Sequence, residues 1–198
     1  MSAPSLDYAE VLDYFIASDM AKSKKLAAKA SKQFVAELGN APRNMSEEQT
    51  QAFFLEWFLF DYEYEPGMTL AKSYAANPPA SADPAKVAEL KQVVETQFCA
   101  IFWVEGVAPL LNITTLEEAE SGQRFAVHNP GLAHSVVPGA KGALGCRICQ
   151  IDGEWYLPGE PVFYFLVEPT QQLKDSLHLA ELNRPSFTSL IVQHFGRA

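Results

Sequence analysis

The sequence predicts an α+β protein, in which a helical N-terminal half packs on a small antiparallel β-barrel or sandwich (SH3-like or OB-like), with C-terminal helices. Three observations lead there. Apolar residues as far as Val94 recur at helical spacing behind recognisable caps. Near Gln97 the pattern changes to that of strands rich in aromatic and β-branched residues. From there to Val167, short strand-like runs alternate with Gly, Pro, Asn and Asp turns, as in a small closed sheet. The expected organisation is a helical region over 1–96, a β-barrel module over 97–168 and C-terminal helices over 169–198 packed on the same core.

Local signals justify each element. Ser5 caps a helix with Ala9, Leu12, Ile16 and Met20 at helical spacing, and a break is expected at Ser18 and Asp19, both of which favour caps. A second amphipathic run carries Leu26, Ala30, Phe34 and Leu38 on one stripe and stops at Gly39-Asn40. Ser46-Glu47-Glu48-Gln49 reads as a capping box. The helix it opens holds Phe53, Phe54, Trp57, Phe58 and Phe60, so most of its circumference must be buried. Residues 61–67 form an acidic loop closed by Pro66-Gly67. Thr69 then caps a short helix over 70–76, and Asn77-Pro78-Pro79 begins a linker. Asp83 followed by Pro84 starts a helix through Val87, Leu90 and Val94.

Strands are expected at 98–104, 110–114, 123–128, 144–151, 154–157 and 162–167. Ser121-Gly122, Asn129-Pro130-Gly131, Pro138-Gly139 and Asp152-Gly153 provide the turns between them, the last as a two-residue hairpin. Thr170 caps a further helix through Leu173, Leu177 and Leu182, and Pro185 starts another.

Composition narrows the function classes. Hydrophobic residues make up 48% and aromatics 12% of 198 residues, enough for a substantial core. The first ten residues lack a cationic segment and an apolar run, so no secretory signal is expected. The most apolar window, 53–60, is interrupted by Glu56 and is much shorter than the ~20 residues that span a bilayer. A soluble, cytoplasmic protein without membrane association is expected. Cys99, Cys146 and Cys149 are an odd number without framework spacing, which points to reduced thiols. A net charge of −9 disfavours general nucleic-acid binding.

The segment Phe54-Leu55-Glu56-Trp57-Phe58-Leu59-Phe60-Asp61 reads Phe-x-x-Trp-Phe-x-Phe-Asp, and an acidic loop, a helical spacer and Gly153-Glu154-Trp155-Tyr156-Leu157-Pro158-Gly159 follow it. This layout, from Phe53 to about Val167, resembles a group of uncharacterised bacterial proteins with an aromatic helix and a small β-module. Some members carry a C-terminal zinc motif similar to that of the bacterial translocase ATPase. Here the chain ends Phe195-Gly196-Arg197-Ala198, so the resemblance implies the layout without the zinc site and implies no activity.

Several residue groups are candidates for chemistry. Cys146-Arg147-Ile148-Cys149 has CxxC spacing, but in a strand residues three apart face opposite ways, so the thiols are expected not to converge. His128 and His134 flank the turn at 129–131, where Cys146 or Glu117 would have to complete a metal site; His178 and His194 lie on the C-terminal helices. Asp61, Glu63 and Glu65 alternate with Tyr62, Tyr64 and Pro66, which in extended backbone puts three carboxylates on one side, as hydrolysis or divalent-cation binding requires. The competing reading is a solvated loop whose tyrosines cover the core. Glu117, Glu118 and Glu120 read as a solvated hairpin tip. Ser135, Ser186 and Ser189 lack a nucleophile elbow, and no phosphate-binding glycine loop is present.

One segment opposes the overall charge. Between Met20 and Arg43 stand Lys22, Lys24, Lys25, Lys29, Lys32 and Arg43 against Glu37 alone, a local charge of +5, which leaves −14 for the remainder. Lys22, Lys25, Lys29 and Lys32 share a stripe about 80° wide on a helical projection, opposite the apolar side.

The sequence therefore predicts an intracellular binding or regulatory protein without an evident catalytic site. Lys22, Lys25, Lys29, Lys32, Trp155 and Tyr156 are its candidate binding residues, and a protein or small ligand is the expected partner. No metal and no cofactor are expected. Two alternatives stay open: a nucleic-acid-associated protein using the lysine face, and a metal-dependent hydrolase using Asp61, Glu63 and Glu65.

Overall fold

The computed structural model describes residues 8–18, 20–38, 46–136, 142–158 and 163–165. The chain divides into two compact units, Met1–Glu95 and Thr96–Ala198. The helices expected after Thr170, the loop around Lys141, and His178, His194, Ser186 and Ser189 lie outside the described residues.

The first unit is helical: α1 (Ala9–Ser18), α2 (Met20–Leu38), α3 (Glu47–Phe60), α4 (Leu70–Ala76) and α5 (Pro84–Thr96). α1 ends at Ser18 and α2 starts at Met20, with Asp19 outside the described residues, and the Ser23 hydroxyl donates to the Phe15 carbonyl at 2.7 Å across the junction. α3 begins directly after Ser46 and buries Phe53, Glu56, Trp57, Phe58, Leu59 and Phe60, so nearly its whole circumference is enclosed. Phe34 of α2 packs edge-on to Phe53 and Phe54, with ring centroids 5.6 and 5.3 Å away, and Phe15 of α1 meets Phe58 at 6.0 Å. Thr69 caps α4 by accepting from the Lys72 N–H, and α5 opens on Pro84 with the Asp83 carboxylate accepting from Ala85 N at 2.9 Å. Tyr74 ties α4 to α1: its hydroxyl donates to Glu10 Oε1 at 2.7 Å.

The second unit contains β1 (Phe98–Ala108), β2 (Ile113–Glu118), β3 (Arg124–His128), α6 (Pro130–Ser135), β4 (Ala143–Ile151), β5 (Glu154–Tyr156) and β6 (Phe163–Phe165). The strands join in the order β1-β2-β3-β5-β4, and β4 pairs back to β1, which closes a five-stranded barrel. Closure depends on β1, which pairs with β4 through 98–103 and with β2 through 102–108. A bulge at Glu105, within the stretch paired with β2, lets the strand bend from one wall to the other. β6 lies beside β4 in the lane that β5 occupies further along, displaced by three extra residues.

Three expectations need correction. The barrel is not wholly antiparallel, because β3 and β5 run parallel through Val127↔Trp155 and His128↔Tyr156. With the helix α6 between β3 and β4, this strand order is the OB-like one of the two small barrels expected. The strand expected at 110–114 begins only at Ile113, as β2: Pro109–Leu111 is a single 3-10 turn and Asn112 turns the chain at φ 56°. Proline cannot donate to a ladder and asparagine tolerates left-handed backbone, so this pair ends one strand and delays the next. Finally, 129–131 is the start of α6 rather than a turn. Asn129 Oδ1 accepts from Leu132 N at 2.8 Å, and Pro130 takes the first helical position.

The Asp152-Gly153 hairpin forms as expected. Both residues have positive φ, 51° and 87°, the backbone of a type I′ turn.

Candidate functional site

Residues directly opposite each other in a ladder share a face, so the pairings sort the barrel into inside and outside. Ala100, Phe102, Val104, Leu116, Phe125, Val127, Leu144, Cys146 and Ile148 fill the inside as one cluster, with Leu132, Val136 and Leu157 packed at its margin. Trp155 belongs to this interior too. Its register partner is Val127, and its ring lies 4.9 Å from Phe125 and 6.0 Å from Phe98. Of the two aromatic residues expected to bind a ligand, Trp155 is therefore a half-buried core residue.

The outside has two contrasting walls. Of the outward residues on β1 and β4, Ile101, Trp103, Ala143, Arg147 and Cys149 are buried, while Cys99 is half-buried and Glu105, at the bulge, is exposed. Trp103 is only 1% exposed, and Arg147, which donates to Gln97 Oε1, is also sealed from solvent. Cys146 points into the barrel and Cys149 points outward, so the CxxC thiols diverge as strand geometry demands.

On β2, β3 and β5 the outer face is more accessible: Arg124 and Ala126 are exposed, and Ile113, Thr115, His128 and Tyr156 are half-buried. A row of paired residues crosses it: Ile113 of β2 beside His128 of β3, and His128 beside Tyr156 of β5. The His128 and Tyr156 rings sit 5.4 Å apart, and His128 Nε2 lies 3.4 Å from Glu154 Oε2. Next along the wall come Thr115 and Ala126. Beyond them Arg124 lies between two carboxylates, 2.9 Å from Glu117 and 3.5 Å from Glu105. One end of this wall is thus an ion-paired cluster and the other is aromatic and apolar.

The apolar end continues into the β1–β2 connection. Leu110 is 99% exposed and Leu111 65% exposed at the tip of the 3-10 turn. The Asn129 N–H donates to the Asn112 carbonyl at 2.9 Å, which anchors the tip to the start of α6. A pair of exposed leucines beside an imidazole and a phenol suits contact with a surface of mixed polarity. The sequence reading missed the leucines because two apolar residues next to Ile113 look like strand. The flanking Pro109 and Asn112 were the signal for a turn.

The lysine and acidic-loop candidates belong to the first unit. Lys25, Lys29 and Lys32 are exposed on α2 in the other unit, opposite buried Ser23, Ala30 and Phe34; Lys22 lies on the same helix, with its side chain outside the described set. In the acidic loop, Glu63 and Glu65 are exposed and Asp61 is half-buried. Glu63 Oε2 accepts from Gly67 N at 2.9 Å, and Pro66-Gly67 makes a tight turn closed by Met68 N–H to the Glu65 carbonyl. Tyr62 is buried against Trp57 and Phe58, covering the core as the alternative reading of this loop expected. This loop and the pair His128 and His134 belong to different units. Among the described residues, no three His, Cys, Asp or Glu side chains gather as metal ligands, and no helix is long and apolar enough to cross a membrane.

In comparisons with known proteins, the chain matches no family model, no curated protein and no solved structure.

Proposed function

We propose that this chain is a non-catalytic binding protein and that its partner is another protein, held on the open wall of the barrel beside the Leu110–Leu111 tip. The observation that supports this reading is the contrast in burial around a single barrel. The outward side chains Ile101, Trp103, Arg147 and Cys149 of β1 and β4 are sealed, whereas the half-buried row of Ile113, His128 and Tyr156 ends in two leucines facing water. Such leucines add nothing to the folded core, and burying them would stabilise a complex by about 1.5–3 kcal/mol each. Tyr156 contributes as an aromatic neighbour of His128, and Trp155 supports the wall from within. A cytoplasmic location belongs to the same proposal, since all three cysteines are thiols, which suits a reducing compartment.

The test is quantitative mass spectrometry of proteins that co-purify with the full chain and with its Leu110→Ser/Leu111→Ser variant, both produced in the native cells. The expected result is at least one protein enriched with the parent chain and depleted about tenfold with the variant. An unchanged set of co-purifying proteins would count against the proposal.

A further inference from the structure

The wall beside the Leu110–Leu111 tip is bordered by carboxylates. Glu154 precedes Tyr156 by two residues on β5, so both side chains stand on the outer face. The Glu154 side chain is 58% exposed, and its Oε2 lies 3.4 Å from Nε2 of His128, the central member of the row of Ile113, His128 and Tyr156. Among the described residues that imidazole is the one basic group within ion-pair reach of Glu154, and an imidazole holds no permanent charge. Further along the wall Glu105 and Glu117 share one guanidinium, that of Arg124, so one cation stands against two acids. The flanking turns add Glu118 and Glu120 between β2 and β3, and Asp152 between β4 and β5. The other arginine described in this unit, Arg147, is buried on the sealed face, and no lysine falls within the unit's described residues.

Resting on the reading of this wall as a protein-docking surface, we infer that the partner docks through a cationic segment. It offers an apolar residue to Leu110 and Leu111 and a lysine or arginine to Glu154. Charge complementarity sets the sign, because the carboxylates bordering the wall outnumber its one accessible guanidinium. The leucines set the class. A metal ion or a polyamine would neutralise carboxylates and leave both leucines in water. A phosphate backbone or an anionic bilayer could cover the leucines only against repulsion from the same border. The sheet also sets a spacing. From β2 across β3 to β5 is two inter-strand steps, about 10 Å, so in an extended segment the apolar and basic side chains stand about three or four residues apart.

The experiment selects short random peptides, displayed on phage, on the immobilised full chain. The enriched peptides are then labelled and measured by fluorescence anisotropy against the parent chain and three variants. Leu110→Ser/Leu111→Ser tests the docking wall itself, and Glu154→Lys tests the sign of its partner. Glu65→Lys, at an exposed acid of the other unit, makes the same change in net charge. The expected result is enrichment of peptides that combine an apolar residue with lysine or arginine. Their affinity should fall about tenfold with the leucine variant and with Glu154→Lys, but less than about twofold with Glu65→Lys. It should also fall as salt rises. Peptides that need the leucines yet are neutral or acidic, or that lose equally with Glu65→Lys and Glu154→Lys, would overturn the cationic partner and leave the docking wall standing. Peptides indifferent to the leucines, or no enrichment at all, would overturn both.

Discussion

The two outer walls of the barrel are built from the same kinds of strand and differ in what reaches solvent. On β1 and β4 the outward side chains include Ile101, Trp103 and Cys149, with an arginine held among them, and none is accessible. On β2, β3 and β5 the same alternation leaves Ala126 exposed and Thr115, His128 and Tyr156 half-buried, and the connecting turn adds two exposed leucines. Burial on both faces explains why β4 reads as a nearly continuous apolar run, while β3 alternates cleanly between buried and exposed. The difference teaches where to look for function: a wall that needs its side chains for folding has none to spare for a partner.

Substitutions on the two walls should separate sharply. Trp103→Ala, on the sealed wall, is expected to cost about 3–5 kcal/mol by denaturant unfolding, whereas Tyr156→Ala on the open wall should cost about 1 kcal/mol or less. Similar losses at both positions would erase the contrast.

The helical unit shows the same contrast between sealed Tyr74 and the exposed lysines of α2. Burial, then the hydrogen bond to Glu10, then the charges of Glu10 and Tyr14, push the Tyr74 phenol from 10.0 up to about 12. Tyr74→Phe should cost about 1 kcal/mol at neutral pH through the lost hydrogen bond. The sign with pH follows from linkage. Above pH 10 the unfolded chain releases this proton while the folded chain keeps it until about 12. The advantage of the parent chain over the phenylalanine variant should therefore be complete below pH 10 and shrink as pH rises towards 12. Unfolding curves across that range check it, and a gap that widens with pH would contradict it.

Inside the barrel, the Thr114 hydroxyl is buried without a hydrogen-bond partner. Thr114→Val keeps the shape and removes the stranded polar group, so a gain of about 1 kcal/mol is expected in thermal unfolding. The smallest effect belongs to the open wall's ion pairs. Arg124→Ala should cost about 0.5 kcal/mol at low salt and nothing measurable at high salt, because the guanidinium is well exposed.

What could be read from the sequence follows from the range of the interactions involved. Thr69, Asp83 with Pro84, and Asp152 with Gly153 act on neighbours a few residues away, so their helices and hairpin were legible. The divergence of Cys146 and Cys149 was equally legible, because strand alternation is local. The parallel seam between β3 and β5 was not, since it rests on two register pairs joining residues 28 apart in the chain. The 3-10 turn at Pro109 and the cap at Asn129 were missed for another reason: neighbouring apolar or turn-forming residues gave the commoner signal. At the candidate site, Tyr156 was visible as a strand aromatic. Its place beside His128 and the exposure of Leu110 depend on the closed barrel, and no local pattern encodes them.

The most direct test of a protein-binding open wall is site-specific photocross-linking from two positions at opposite ends of β2. A photoreactive residue in place of Leu110 samples the apolar tip, and one in place of exposed Ser121 samples the far turn. The predicted result is a discrete cross-linked protein from position 110 that is absent or much weaker from position 121. Equal cross-linking from both positions, or none from position 110, would contradict the assignment of this wall as the docking surface.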